Sequence, residues 1–236
     1  MKRILITGAS SGIGKAAAQK LDQDGHSLVL LSRRREALEQ VNAVLKGDHI
    51  IIEADVTKPK QIKNALDKVQ ERLGGLDVVL NNAGLGVFDP LDQGKLEDWH
   101  TMVDVNIKGV LNVMHRALPL LKASKGHLIN VGSVASHHVF PNSGVYCATK
   151  HAVFALSESV RVELAKEVRV TTISPGAVNT EFINQTNNEE LLKDYKSYFA
   201  AGMTPEIIAE QIGWAVNAPE DVVISEIMIR PNRQPI

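Results

Sequence analysis

A chain of 236 residues with 26 Lys+Arg against 27 Asp+Glu is close to neutral, and 44% of it is hydrophobic. Near-neutral charge argues against a nucleic-acid groove or a polybasic membrane anchor, and the length is ample for one sizeable core. The one cysteine, Cys147, excludes an intrachain disulfide and a cysteine-built metal site. The opening apolar run, Ile4 to Ile6, is too short for a signal peptide, and the charge-free stretch 126–149 is too interrupted to span a bilayer, so a soluble cytoplasmic protein is expected.

Short β-branched runs alternate with longer helical patterns, the mark of βαβ units and a parallel sheet. Strand 3–7 runs into Thr7-Gly8-Ala9-Ser10-Ser11-Gly12-Ile13-Gly14, and a helix over 13–24 follows. Gly8 permits a sharp turn, Gly12 lets backbone approach a pyrophosphate, and Gly14 lets the helix pack closely on the strand. The helix start offers unpaired N–H groups and partial positive charge to phosphates.

A second strand, 27–31, ends at Ser32, Arg33, Arg34 and Arg35, where a helix over 34–46 begins. An NAD site asks for an acid at this strand end, about 20 residues past the glycines. None is present, and three arginines at a helix start oppose its dipole. A 2′-phosphate would supply the missing anion, with Ser32 donating a hydrogen bond and Arg33 a bidentate pair. NADP(H) is therefore expected over NAD(H).

Strand 49–54, helix 60–73, strand 77–80 and a long helix over 98–123 come next, with Pro119 expected to kink or end that helix. Strand 127–131 precedes Ser133, and a helix over 144–167 carries Tyr146 and Lys150 four residues apart on one face. A tyrosine working near neutral pH must lower its pKa from about 10 towards 7, roughly 4 kcal/mol. An ammonium about 4 Å away contributes about that much at an effective dielectric of 20, but only about 1 kcal/mol in water. The spacing has a chemical reason, provided the site is dry. Ser133, at a strand end where open α/β sheets bind ligands, could polarise a carbonyl beside the phenol.

Strand 169–173, a polar stretch over 179–203 ending in Tyr195, Tyr198 and Phe199, helix 205–217 and strand 222–229 complete the chain. The polar stretch reads equally as a surface excursion or as a substrate lid. Seven strands and six crossover helices make one doubly wound (Rossmann) α/β domain over residues 1–236. Among lesser signals, His137, His138, Phe140 and Ser143 are candidates for touching substrate. Cys147, Trp99 and Trp214 read as packing, and Arg230 and Arg233 as surface charges or partners for an acidic substrate.

Taken together, the glycine loop, Asn81-Asn82-Ala83-Gly84, Asn106, Ser133, Tyr146-x3-Lys150 and Pro175-Gly176 with Thr180 resemble the short-chain dehydrogenase/reductase family over essentially the whole chain. The resemblance implies Tyr146 as proton donor, Lys150 on the ribose hydroxyls, Ser133 on the substrate oxygen, and Asn106 holding a water in a proton relay. It implies adenine contacts from Asp55 and Val56, a cofactor wall from Asn82, Ala83 and Gly84, and nicotinamide-end contacts from Val178 and Thr180. Asn81 would tie strand ends together. Hydride would pass directly between nicotinamide and substrate, without metal.

Many NADP-dependent relatives carry a basic residue where this chain has Ser11, so the preference rests on Ser32 and the arginines. The tail Glu226 to Pro231 resembles those of bacterial NADP-dependent reductases and dehydrogenases acting on hydroxy acids and related carbonyls. A small polar carbonyl or alcohol substrate follows, with a homo-oligomer, tetramer or dimer, built on helices 98–123 and 144–167. The alternatives are a non-catalytic NADP(H)-sensing or scaffold protein on the same fold, and a dehydrogenase using NAD in the oxidative direction.

Overall fold

The first two strands, β1 (Arg3–Thr7) and β2 (Ser27–Ser32), bury apolar side chains on both sides. Ile4, Ile6, Leu28 and Leu30 enter one core layer, while Leu5, Val29 and Leu31 enter the other. Such strands read as continuous apolar runs because neither face meets water. β3 (Ile50–Glu53), β4 (Val78–Asn81), β5 (His127–Val131), β6 (Arg169–Pro175) and β7 (Glu226–Ile229) complete a parallel sheet of order β3-β2-β1-β4-β5-β6-β7. The computed structural model describes residues 1–234, and among them no helix is long and apolar enough to cross a membrane.

Helices α1 (Gly12–Gln23), α2 (Arg35–Asn42) and α8 (Pro205–Asn217) cover one face. The other is covered by α3 (Pro59–Leu73), α5 (Val110–Ser124) and α6 (Gly144–Glu163). The chain folds as one doubly wound α/β domain. Strand order reverses between β1 and β4, opening a crevice at the C-terminal strand ends where such sheets bind ligands.

Several expectations need correction. The helix expected over 98–123 is α4 (Leu96–Val103), a π-helical segment Asp104–Gly109 and then α5. α5 does not end at Pro119 but runs on to Ser124. Pro119 and His115, whose carbonyl loses a donor there, are both exposed, so water can serve that carbonyl. The last strand begins at Glu226 rather than 222, after a stretch in which Val222 and Val223 are exposed. Trp214 is no core residue: it is 60% exposed, because α8 buries the face of Ile208, Ile212, Ala215 and Val216. The stretch 179–203 contains a short 3-10 turn, Glu181–Ile183, and a helix, α7 (Glu189–Ala200).

Candidate active site

A cavity of about 880 Å³ occupies the crevice, reaching from the ends of β2 and β3 across β1 and β4 to β5 and β6. At its floor Gly8 and Gly12 take φ values of +66° and +52°, a region side chains disfavour. Gly14 faces backwards: a Cβ there would be driven into the Gly8 carbonyl and the Asn82 amide. The first turn of α1 has no acidic residue, and Ser11 at its N-cap makes no side-chain capping bond. The helix thus presents free N–H groups and positive potential, together with Ser10, Ser11, Gly12 and Ile13, to the cavity. Those features fit the phosphates of a dinucleotide.

At the end of β2, Ser32, Arg33 and Arg34 line the same cavity. The Ser32 hydroxyl accepts the Arg34 N–H at 3.2 Å, which shapes the turn. The Arg34 guanidinium donates to Ser10 and Ser11 at 3.1 and 2.9 Å, closing the arginine turn onto the glycine loop. Asp55 and Val56 line the cavity beyond β3, where the Asp55 carboxylate caps the Thr57 N–H at 2.9 Å and the Val56 carbonyl accepts from Asn112 at 2.8 Å.

The turn after β4 is clamped to the first loop. Thr7 Oγ1 accepts the N–H groups of Asn82 and Ala83, both at 3.0 Å, and the Asn82 amide donates to the carbonyls of Thr7 and Gly8. Asn81 donates to Asn130 across β4 and β5 at 2.9 Å, the strand-end tie expected of it. Gly84 lies on the cavity wall, where a Cβ would lie 3.3 Å from Asn106 Oδ1 and 3.8 Å from Lys150 Nζ. Asn106, in the π segment, is buried; it donates to the Leu85 carbonyl and Thr149 and accepts the Leu85 N–H at 2.9 Å. One lone pair of its Oδ1 stays free towards Gly84.

Ser133, Tyr146 and Lys150 converge where β5 ends. The Ser133 hydroxyl caps the following 3-10 turn by accepting the Ala135 N–H at 3.1 Å, and it points at the Pro175 carbonyl. Lys150 Nζ donates to the Val131 carbonyl at 2.8 Å and lies 5.8 Å from the centre of the Tyr146 ring. Burial pulls the Lys150 ammonium down to about 8 from its ordinary 10.5. Burial also pushes the Tyr146 phenol above its ordinary 10, with the nearby Ser133 hydroxyl opposing the shift. The unliganded site therefore holds an intact phenol beside an amine that titrates near physiological pH.

The far wall is aromatic. Phe88 meets the Tyr146 ring edge-on at 5.6 Å between centres and Phe182 does so at 5.4 Å, while Tyr195 lies 4.8 Å from Phe88. Tyr195 and Phe199 come from α7, whose Tyr195 hydroxyl donates to the Pro141 carbonyl at 3.3 Å. Asn188, at the start of that helix, donates to Asp89 at 3.1 Å. α7 therefore lies across the aromatic side of the cavity.

Phe140, Ser143, Pro175, Gly176, Val178 and Thr180 line the cavity. His137 and His138 do not. The turn after Ser133 carries His137 to Glu226 on β7, 2.7 Å away, with its ring against Phe154. Arg230 and Arg233 are outside the lining as well, and Cys147 is a buried member of the apolar cluster around Tyr146. Two contributors had no local sequence signal. Phe88 lies in a loop far from Tyr146 in sequence, and Gln234 in the tail accepts the Ala177 N–H at 2.8 Å from inside the cavity.

Comparison with known proteins adds to this geometry. Residues 2–191 match the family described as short chain dehydrogenase. An uncharacterised oxidoreductase of Staphylococcus saprophyticus is 40% identical, over 99% of this chain and 97% of that protein. An alcohol dehydrogenase of Thermococcus sibiricus, solved with 5-hydroxy-NADP, is 33% identical with a TM-score of 0.90 over 100% of this chain and 99% of the other. A closed serine dehydrogenase with NADP+ is 32% identical, with a TM-score of 0.92 over 99% and 96%.

Proposed function

The chain belongs to the short-chain dehydrogenase family and is an enzyme acting on CH–OH or C=O groups, and from that premise we propose an NADP(H)-dependent oxidoreductase that interconverts a carbonyl compound and its alcohol. The observation that carries the reading is the meeting of Tyr146, Lys150 and Ser133 at one end of a cavity whose other end is an uncapped helix start beside Arg33 and Arg34. Bound nicotinamide supplies or accepts the hydride.

In reduction, Ser133 and Tyr146 hold the substrate oxygen between their hydroxyls, and Tyr146 gives it a proton as the carbon receives the hydride. Lys150 holds the ribose hydroxyls, and its charge steadies the phenolate left behind. A water in the space over Gly84, between Asn106 Oδ1 and Lys150 Nζ, passes a proton on. Gly8, Gly12, Ser10, Ser11 and Ile13 hold the pyrophosphate, while Gly14, outside the lining, packs the helix against the Gly8 turn. Ser32, Arg33 and Arg34 hold the 2′-phosphate. Asp55 and Val56 hold the adenine, and Asn82, Ala83, Gly84, Pro175, Gly176, Val178 and Thr180 the remainder. α7 is the lid, which keeps water from the reacting carbon.

A carbonyl panel followed at the nicotinamide absorbance, beside thermal shifts with NADPH and NADH, tests the reading. NADPH oxidation is the expected result. A thermal shift without oxidation across the panel would mean a nucleotide-sensing scaffold, and equal KM values for NADPH and NADH would remove the cofactor assignment.

A further inference from the structure

Apart from Lys150, whose ammonium lies 5.8 Å from the Tyr146 ring centre, the cations that line the cavity stand away from its rings. Arg33 and Arg34 lie at the end of β2, with Arg34 against Ser10 and Ser11 of the glycine loop. Lys150 is buried and held by the Val131 carbonyl. Around the Tyr146 phenol the wall is made by Phe88, Phe140, Phe182, Tyr195 and Phe199. Among the described lining residues, the charges on that side are Glu181 and Asp194, exposed neighbours of Phe182 and Tyr195. The groups that could have met a substrate carboxylate, Arg230, Arg233, His137 and His138, are outside the lining.

Resting on the oxidoreductase reading above, we infer that the substrate is an uncharged carbonyl compound with an aryl or bulky alkyl body, and that carboxylate-bearing carbonyls are disfavoured. The small polar substrate expected from the sequence is replaced by an apolar one. A carboxylate entering this space would shed water against ring faces and meet two acidic side chains, while the one cation nearby, Lys150, is already engaged by the Val131 carbonyl. A flat apolar body would be sandwiched by rings whose edge-on packing around Tyr146 already sets the slot. The acidic rim extends tolerance towards cationic substrates, not anionic ones.

Benzoylformate and its ethyl ester present the same reacting ketone with and without the charge. With NADPH in excess, the ester is expected to show kcat/KM at least about tenfold above the acid. Calorimetric titration of the NADP+-loaded protein, where neither ketone can react, is expected to give the same order of affinity. Glu181→Lys, at an exposed position, should narrow the ester-to-acid ratio by about threefold or more. Parity between acid and ester, or a preference for the acid, overturns the substrate class and leaves the oxidoreductase reading standing. No NADPH oxidation with any carbonyl removes that reading and this inference together.

Discussion

Lys150 and Tyr146 stand one helical turn apart on α6, with the ammonium 5.8 Å from the ring centre, and both are buried. Burial acts on them in opposite senses, disfavouring the ammonium and the phenolate alike. A charge kept in such a place opposes folding while serving chemistry.

Lys150→Met is therefore expected to stabilise the unliganded protein at pH 7. A fall from 10.5 to about 8 corresponds to a penalty on the order of 3 kcal/mol. The Val131 carbonyl loses its donor in the variant, at a cost of about 1 kcal/mol. The net gain should raise Tm by about 4–8 °C for a chain of this size. Because the folded value lies below the unfolded one, the penalty is full below about 8 and vanishes above 10.5. The advantage of the variant should shrink across that window in calorimetric scans, and a lower Tm for the variant at pH 7 would contradict the burial argument.

Carbonyl reduction carries the same titration. Tyr146 stays protonated well past neutrality, since its phenol lies above the usual 10, whereas Lys150 loses its charge near 8. kcat/KM should hold level at neutral pH and fall above about 8. A profile flat to pH 10 would show that the charge on Lys150 does not matter to the step.

Continuous apolar runs such as Ile4 to Ile6 and Leu28 to Leu31 made the sheet readable, because each residue of a doubly covered strand must be apolar. The convergence of the glycine loop, Ser133, Tyr146 and Lys150 on one cavity was readable too, since each stands at or just after a strand end or on one helix face. The π segment at Asp104–Gly109 was not, because over six residues its period is indistinguishable from that of an α-helix. Of the kink or early end expected at Pro119, the early end fails, for an exposed helix face lets water replace a lost bond. The ring wall joins Phe88, Phe182 and Tyr195 from three separate segments, and no local pattern announces such a contact.

Arg33→Ala should raise the KM for NADPH at least about tenfold, the scale of one lost charge-assisted contact, with NADH little affected. Steady-state kinetics with both cofactors decide this. Equal effects on the two would place Arg33 away from the 2′-phosphate.

Gly84 has ordinary backbone geometry, so Gly84→Ala tests the space it borders rather than its turn. The added methyl would occupy the gap between Asn106 Oδ1 and Lys150 Nζ. Loss of a bridging water should lower kcat, read at saturating NADPH, about tenfold or more. An unaltered kcat would rule out proton traffic through that gap.

Tyr146→Phe probes the centre of the account, because it removes one hydroxyl and keeps the ring that packs on Phe88 and Phe182. NADPH titration and turnover on the best ketone should be measured on the same preparation. The account predicts NADPH binding close to that of the unaltered protein and turnover reduced by at least about a hundredfold. Near-normal turnover by that variant would mean that the phenol does not deliver the proton.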